Sequence, residues 1–108
     1  MSEDKKVYSE RDVISAAMCV NAFICELGGS IRIKEILDPH NSIVAINTTS
    51  KKIYTPDLEE RFVGILALLA IDHADIDISS ARITLTEEGK NCGSKLNRVF
   101  VGDREAML

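Results

Sequence analysis

The chain has 108 residues, of which 45% are hydrophobic and 28% are charged, and these proportions are typical of a globular domain rather than a disordered segment. Its net charge of −4 opposes attraction of the whole surface to nucleic acid or to an anionic membrane. Aromatic residues make up 5% and Trp is absent, so few side chains could stack on single-stranded bases. This length predicts one domain over residues 1–108, with loose termini at 1–8 and 102–108.

The first six residues, MSEDKK, are charged and lack the apolar core of an export signal. No apolar run reaches the roughly 18 residues that a membrane-spanning helix needs. We therefore expect a cytoplasmic protein without membrane contact. The three cysteines, Cys19, Cys25 and Cys92, form no CxxC pair and predict neither a disulfide framework nor a zinc site.

The first helix is indicated by Ser9-Glu10-Arg11-Asp12, which is a near match to a capping box, and by the apolar stretch 13–27 after it. The pair Gly28-Gly29 ends the helix. Apolar residues occupy most of its circumference, and a helix of this kind is buried on more than one side. Cys19 and Cys25 lie in this stretch, where buried thiols behave as small hydrophobes.

Residues 30–37 fit either a strand or a short helix. We favour the strand, because the turn Asp38-Pro39-His40-Asn41 and the β-rich run 43–46 follow it and a hairpin is the simplest connection. A polar turn at 48–51 and a short strand at 52–55 complete three predicted strands.

The second helix is expected to begin at Thr55 as the cap, with Pro56 at the first helical position. The acidic residues Asp57, Glu59 and Glu60 would then lie in the first turn, where the helix dipole favours them. The remaining stretch up to Ile71 is apolar, so we predict a central helix that is almost fully buried.

Alternating apolar residues predict two strands around a turn at Ser79-Ser80, with Ile76 and Ile78 before it and Ile83 and Leu85 after it. Thr86 then caps a last helix, on which Leu96, Val99 and Phe100 have helical spacing. The whole pattern predicts an α+β fold that runs helix, short strands, buried central helix, hairpin and C-terminal helix.

The sequence contains none of the catalytic motifs that combine a nucleophile, a base and an orienting group. The stretch 72–77 holds the one cluster of metal-capable groups but lacks the turn glycine and distal Glu of a calcium loop. His40 fits a solvated turn, and Cys92 has no neighbouring His to activate it. We therefore expect a non-catalytic binding domain with no metal and no cofactor.

The segment Leu85-Thr86-Glu87-Glu88-Gly89, which follows a predicted strand, resembles the end of the wing in winged-helix transcription regulators. In that family a wing strand runs into an LTxxG turn that opens the next helix, and two helices forming a helix-turn-helix precede the wing. The resemblance implies double-stranded DNA as a partner and a role in transcription regulation. The basic residues expected to meet DNA phosphates are Arg82, Lys90, Lys51, Lys52 and Lys95.

A second resemblance concerns the order of the elements. An acidic chain that runs helix, three strands, helix, hairpin, helix is similar to the dimeric chaperones that escort bacterial secretion effectors. That resemblance implies a protein-binding adaptor. Under either interpretation, two helices that are apolar nearly all round predict a homo-oligomer, at least a dimer.

Overall fold

A computed structural model describes residues 8–46, 53–96 and 98–103 of the chain. In these ranges the helices are α1 (Glu10–Glu26), α2 (Ile33–Ile36), α3 (Leu58–Ala70) and α4 (Glu87–Leu96). The strands are β1 (Ser30–Arg32), β2 (Asn41–Ile46), β3 (Ile53–Tyr54), β4 (Ala74–Asp77), β5 (Arg82–Leu85) and β6 (Arg98–Asp103). The chain is an α+β domain, which confirms the predicted fold class.

The strands form two antiparallel sheets, one with the order β1-β5-β4 and one with the order β3-β2-β6. The predicted hairpin between residues 30–37 and 43–46 is therefore wrong, because β1 pairs with β5 and lies in the other sheet. In β1, Ile31 is opposite Ile83, and both side chains are buried in the same core. The contact with β5, which is distant in sequence, therefore determines the pairing of β1, and β1 does not pair with the next strand, β2.

Residues 30–37 contain both of the structures that the sequence allowed. The first three residues are the strand β1, and the next four form one helical turn, α2. The backbone N–H of Ile33 donates to the carbonyl oxygen of Ala81 at 2.9 Å, which is the last bond to the hairpin before the helical turn begins. Ile36, the last residue of α2, is fully buried.

Helix α1 begins as predicted, with Ser9 as its cap. The Asp12 backbone N–H donates to Ser9 Oγ at 3.1 Å, and the Ser9 N–H donates back to the Asp12 carboxylate at 3.3 Å. Gly28 and Gly29 follow the helix with φ angles of 101° and 94°, a conformation that favours glycine. Because α1 packs against α3, α4 and β5, it is buried on more than one side, as expected.

Helix α3 begins two residues later than predicted, with Asp57 as its cap. Asp57 Oδ1 accepts from the Glu60 N–H at 2.8 Å, and Glu60 Oε1 accepts from the Asp57 N–H at 2.9 Å. The prediction of Thr55 as the cap is wrong. Three residues after Thr55 stands Leu58, which has no acceptor to return the bond, so only Asp57 can form the reciprocal pair.

The prediction that α3 is almost fully buried is also wrong. Ile65 and Leu68 face the core, whereas Phe62 and Leu66 are each 49% exposed. Within the described residues α3 packs on α1 from one side. At the crossing, a Cβ added to Gly64 would lie 2.6 Å from the Ala16 carbonyl oxygen, so the two backbones are in close contact.

The β4–β5 hairpin forms as predicted, and its turn is closed by Asp77, whose Oδ1 accepts from the backbone N–H and the hydroxyl of Ser79. These bonds hold the pKa of the Asp77 carboxyl below its usual value. Thr86 caps α4, since its Oγ1 accepts from the Gly89 N–H at 3.3 Å and donates to the Asp72 carbonyl at 2.9 Å.

The C-terminal part differs from the prediction. The last helix ends at Leu96, and Val99 and Phe100 lie in β6, which pairs along all six residues of β2. The run RVFV has the β-branched and aromatic composition that suits a strand, and β2 is an apolar strand with β3 on its other edge. Residues 102–103 belong to β6 and are not a loose end.

Three predicted features concern the edges of the described chain. The strand predicted at 52–55 is confirmed as β3. The turn predicted at 48–51 and the termini 1–7 and 104–108 lie outside the described residues. Tyr8, which was placed in the loose N-terminus, donates a hydrogen bond from its hydroxyl to Glu59.

Candidate functional site

Arg82, the first predicted phosphate contact, is exposed at the start of β5. Its neighbours across the sheet are Arg32 in β1 and Asp77 in β4, and residues directly opposite one another share a face of the sheet. Arg82 Nε donates to Ser30 Oγ at 3.2 Å, and Arg32 lies 3.7 Å from the carboxylate of Glu35. Arg32 is therefore paired with Glu35, and Asp77 lies opposite Arg82 in the sheet, so an acidic residue accompanies each arginine.

Lys90, the second predicted contact, is exposed on α4 near the opposite end of β5. Its Cε lies 3.3 Å from the position of a Cβ on Gly29, whose carbonyl accepts from the Leu85 N–H. Gly29 directly precedes Ser30, to which Arg82 donates, so the side chains of Arg82 and Lys90 reach adjacent residues although their backbones lie at opposite ends of β5. Lys51 and Lys52 lie outside the described residues. Lys95 belongs to α4, and its side chain is also outside the described part.

The outward side of α3 carries an apolar stripe of Leu58, Phe62 and Leu66, which we call the outer stripe. These residues are four apart and therefore lie one above another on the helix surface. All three are 40–49% exposed. Glu59 is exposed beside them, and the one basic residue of α3, Arg61, is buried. The exposed surface of α3 is thus apolar with an acidic beginning.

Arg61 is 6% exposed and serves the fold. Its Nη1 donates to the carbonyl oxygens of Ile36 and Asp38, both at 3.1 Å, and its Nε donates to the Pro56 carbonyl at 3.3 Å. Desolvation lowers the pKa of the guanidinium, but arginine remains charged. The side chain of Arg61 therefore links α2 and the turn after it to α3. Its position in an apolar run could have suggested this role.

A cleft of about 160 Å³ opens between α1, α3 and α4, and we call it the α1–α3 cleft. Its walls are largely apolar, with Ala17 and Met18 on α1 and Leu68 on α3. Ile14 and Ile71, each about half-exposed, stand at its edges. Three polar residues also line the cleft: Asn21, His73 and Cys92.

Asn21 is the unusual member of this lining. Its side chain is 3% exposed, and among the described residues its oxygen Oδ1 is buried without a hydrogen-bond partner. A buried acceptor left unpaired costs about 1–3 kcal/mol, and such groups are rare in folded proteins. The sequence does offer a signal that we did not use, because Asn21 is the one amide in the buried run 16–24 of α1.

The remaining reactive groups are dispersed. Burial raises the pKa of the Cys19 thiol to about 12, so this cysteine is inert at neutral pH. Burial and a hydrogen bond to Glu60 raise the pKa of Tyr54. Cys92 is exposed at the cleft. The described part of the chain contains no group of three or more His, Cys, Asp or Glu side chains that could hold a metal ion.

No helix in the described ranges is both long enough and apolar enough to cross a bilayer. Comparison with known proteins adds no constraint on function, because no family model, no curated protein and no solved structure matches the chain.

Proposed function

We propose that the chain is a non-catalytic binding domain of winged-helix-like build that forms a homodimer through the outer stripe of α3. The build is supported by two helices, α2 and α3, that precede the β4–β5 hairpin, and by the Thr86 turn that leads from this hairpin into α4. The chain departs from a tight helix-turn-helix in that β2 and β3 lie between the two helices. This likeness concerns the fold alone.

The observation that carries the choice of partner is the chemistry of α3. A helix that reads the major groove needs hydrogen-bond donors and positive charge on its exposed side. In α3 that side presents Phe62 and Leu66, with Glu59 beside them. An exposed apolar patch of this kind is typical of a protein interface.

A second copy of the chain suits the outer stripe because of where the acidic residues lie. If two α3 helices cross antiparallel about a two-fold axis on the side away from α1, at the level of Gly64 along the helix, Phe62 of each copy meets Leu66 of the other. At 1.5 Å per residue, the two Glu59 side chains are then about 15 Å apart along the helix axis. The apolar centre is shared, and the acidic ends are kept apart.

The area of the outer stripe limits the affinity expected for this dimer. A half-exposed aromatic side chain offers on the order of 100 Å², so the stripe provides a few hundred Å², less than the roughly 800 Å² per partner of a standard interface. We therefore expect a dimer that dissociates on dilution. A protein-binding dimer is also what the similarity to secretion chaperones implies.

Double-stranded DNA is the second candidate partner, favoured by the exposure of Arg82 and Lys90 on either side of the winged-helix-like turn. These residues could contact backbone phosphates, which position a protein without reading sequence. Asp77 and Glu35 near the arginines weaken this interpretation. Phosphate contacts would make the affinity fall steeply with salt.

Sedimentation velocity at micromolar concentration tests the dimer. We expect Phe62→Glu to give a monomer, because it places a charge at the centre of the stripe. The matched control is Ile78→Glu, which makes the same kind of change at a hairpin residue that is 90% exposed, and it should remain dimeric. A monomeric parent protein at these concentrations, or equal behaviour of the two variants, would overturn the proposal.

Titration of a labelled duplex at two salt concentrations tests the second candidate. If DNA is bound, changing Arg82 and Lys90 together to glutamate should weaken binding and reduce its dependence on salt. Lack of binding by the parent protein at low salt would eliminate DNA as a partner.

A further inference from the structure

We propose that the α1–α3 cleft binds a compact, mostly apolar small molecule that carries a single hydroxyl or similar hydrogen-bond donor, with the carboxamide of Asn21 as its polar anchor. Two independent observations meet here. One is a preformed apolar cleft, and the other is a buried amide whose oxygen lacks a partner among the described residues.

The size of the cleft suits such a ligand. A cavity of about 150 Å³ lined by aliphatic and aromatic side chains can hold a molecule as large as benzene, and this cleft measures about 160 Å³. Leu68 forms a buried part of the wall, while Ile14 and Ile71 border the opening, so a ligand could enter without separating the helices. The cleft therefore accommodates a six-membered ring with one or two substituent atoms.

The amide of Asn21 determines the polar part of the ligand. Its oxygen accepts and its nitrogen donates hydrogen bonds, so the polar group of the ligand must pair with one of the two. A half-turn about the Cβ–Cγ bond exchanges the oxygen and the nitrogen, and the side chain can offer either group to the cleft that it lines. A hydroxyl both donates and accepts, and it therefore pairs with the amide in either orientation.

A bound water molecule is a less favourable occupant. A water molecule takes up about 30 Å³, so one water paired with Asn21 would leave most of the apolar wall of this cleft without a contact. Among the described residues that line the cleft, Asn21, His73 and Cys92 are polar and the others are apolar. A ligand with one polar group needs one partner, and the rest of its surface is stabilised by contact with the apolar wall.

The cleft and the outer stripe lie on different sides of α3. Leu68 and Phe62 are six residues apart, which corresponds to about 240° around the helix at 100° per residue. The ligand therefore does not occupy the surface proposed for the dimer. Binding of a ligand and loss of the dimer can be measured separately.

The test uses phenol and toluene, which have the same ring and differ in one hydroxyl or methyl group. Both are titrated into the isotopically labelled protein and followed by two-dimensional NMR of the backbone amides. We expect saturable shifts for residues 14–21, 68–73 and 92, with phenol bound at least about tenfold more tightly than toluene. In a purely apolar cleft the order would be reversed, because toluene loses less hydration on entering.

Two variants identify the source of this preference. Asn21→Leu has a similar size and no polar group, so it should abolish the preference for phenol and keep or improve the binding of toluene. Ala17→Leu adds bulk to the wall and should reduce the binding of both probes at least about tenfold. If Asn21→Leu does not fold, the order of affinities in the parent protein and the effect of Ala17→Leu still decide the question.

Three results would overturn the proposal. The first is the absence of saturable shifts with both probes up to their solubility limits. The second is equal affinity for phenol and toluene in the parent protein. The third is a preference for phenol that persists in folded Asn21→Leu, because the anchor would then lie elsewhere.

Discussion

Replacement of Gly64 by alanine tests the closest contact between the two central helices. In the middle of a helix, alanine is more favourable than glycine by about 1 kcal/mol. The added Cβ would lie 2.6 Å from the Ala16 carbonyl oxygen and 2.7 Å from Val20 Cγ2, whereas optimal contacts between non-bonded carbon atoms are about 3.5–4.0 Å. The structure therefore predicts a change opposite in sign to the one that helix propensity predicts.

The size of the effect depends on what can move. The Ala16 oxygen is a backbone atom, and α1 is held on its other sides by α4 and β5, so relief of the contact requires α3 to shift by about 1 Å. Overpacking of this kind costs about 1–3 kcal/mol. Once the gain in propensity is subtracted, we expect a net loss of up to about 2 kcal/mol, equivalent to as much as roughly 16 °C in melting temperature for a domain of this size.

Urea unfolding followed by circular dichroism measures this change. The matched control is Ser15→Ala, at an exposed helical position of α1, where the gain in helix propensity acts without a contact. It should leave the stability unchanged or raise it by up to about 0.5 kcal/mol. A Gly64→Ala protein more stable than its parent would refute the close crossing of α1 and α3.

Three further predictions concern the caps, the buried arginine and the buried thiol. Asp57→Ala should lower the free energy of unfolding in urea by about 0.5–2 kcal/mol, whereas Thr55→Ala should change the unfolding midpoint little. A larger effect of Thr55→Ala would show that α3 begins at Thr55. Arg61→Ala should lower the free energy of unfolding by at least about 2 kcal/mol, because buried carbonyl oxygens lose their donor. A loss below about 0.5 kcal/mol, as for an ordinary surface residue, would contradict the burial of Arg61. The pKa of Cys19 is raised in the folded protein from 9.0 to about 12, so the stability due to the neutral thiol is present below pH 9 and lost as the pH approaches 12. Unfolding titrations of Cys19→Ala should show a shallower loss between these pH values, and a parallel loss in both proteins would show that Cys19 is accessible.

Helix starts could be predicted from the sequence where the cap and its return partner both have suitable side chains. Ser9 and Asp12 form such a pair, and α1 begins where the pattern indicates. Thr55 followed by Pro56 is also a common start, but it lacks an acceptor three residues later, while Asp57 has Glu60. The reciprocal pair of Asp57 and Glu60 therefore indicates the start of α3 better than the proline does.

The β4–β5 hairpin could be predicted because its strands are neighbours, but the pairing of strands distant in sequence could not. The pattern of residues 30–37 fits either a strand or a helix. Residues 30–32 form a strand because Ile31 pairs with Ile83, more than fifty residues away. In the same way, β6 becomes a strand because β2 lies beside it. Periodicity within a short window contains neither partner.

The five basic residues expected to meet DNA phosphates stay a prediction. They were selected by charge, and in the fold Arg82 lies opposite Asp77, while Arg82 and Lys90 reach the adjacent residues Ser30 and Gly29. In the sequence, Asn21 stands out only as the one amide of α1, and it does not interrupt the apolar pattern of the helix. Its significance comes from its burial and its unpaired oxygen, which only the packing of α1 against α3 and α4 creates.

Both proposals follow from the way in which α3 distributes its apolar residues. A helix whose last three turns are apolar would be covered all round in a larger core, but here α1 covers one side, through Gly64 and Leu68. The opposite side, with Phe62 and Leu66, remains for a partner, and the seam beside α1 is incompletely filled and forms the cleft. The outer stripe and the α1–α3 cleft therefore have one cause, which is that α1 covers only one side of the apolar helix α3. A charge at Phe62 should dissociate the dimer and leave the binding of phenol unchanged, whereas extra bulk at Ala17 should have the reverse effect.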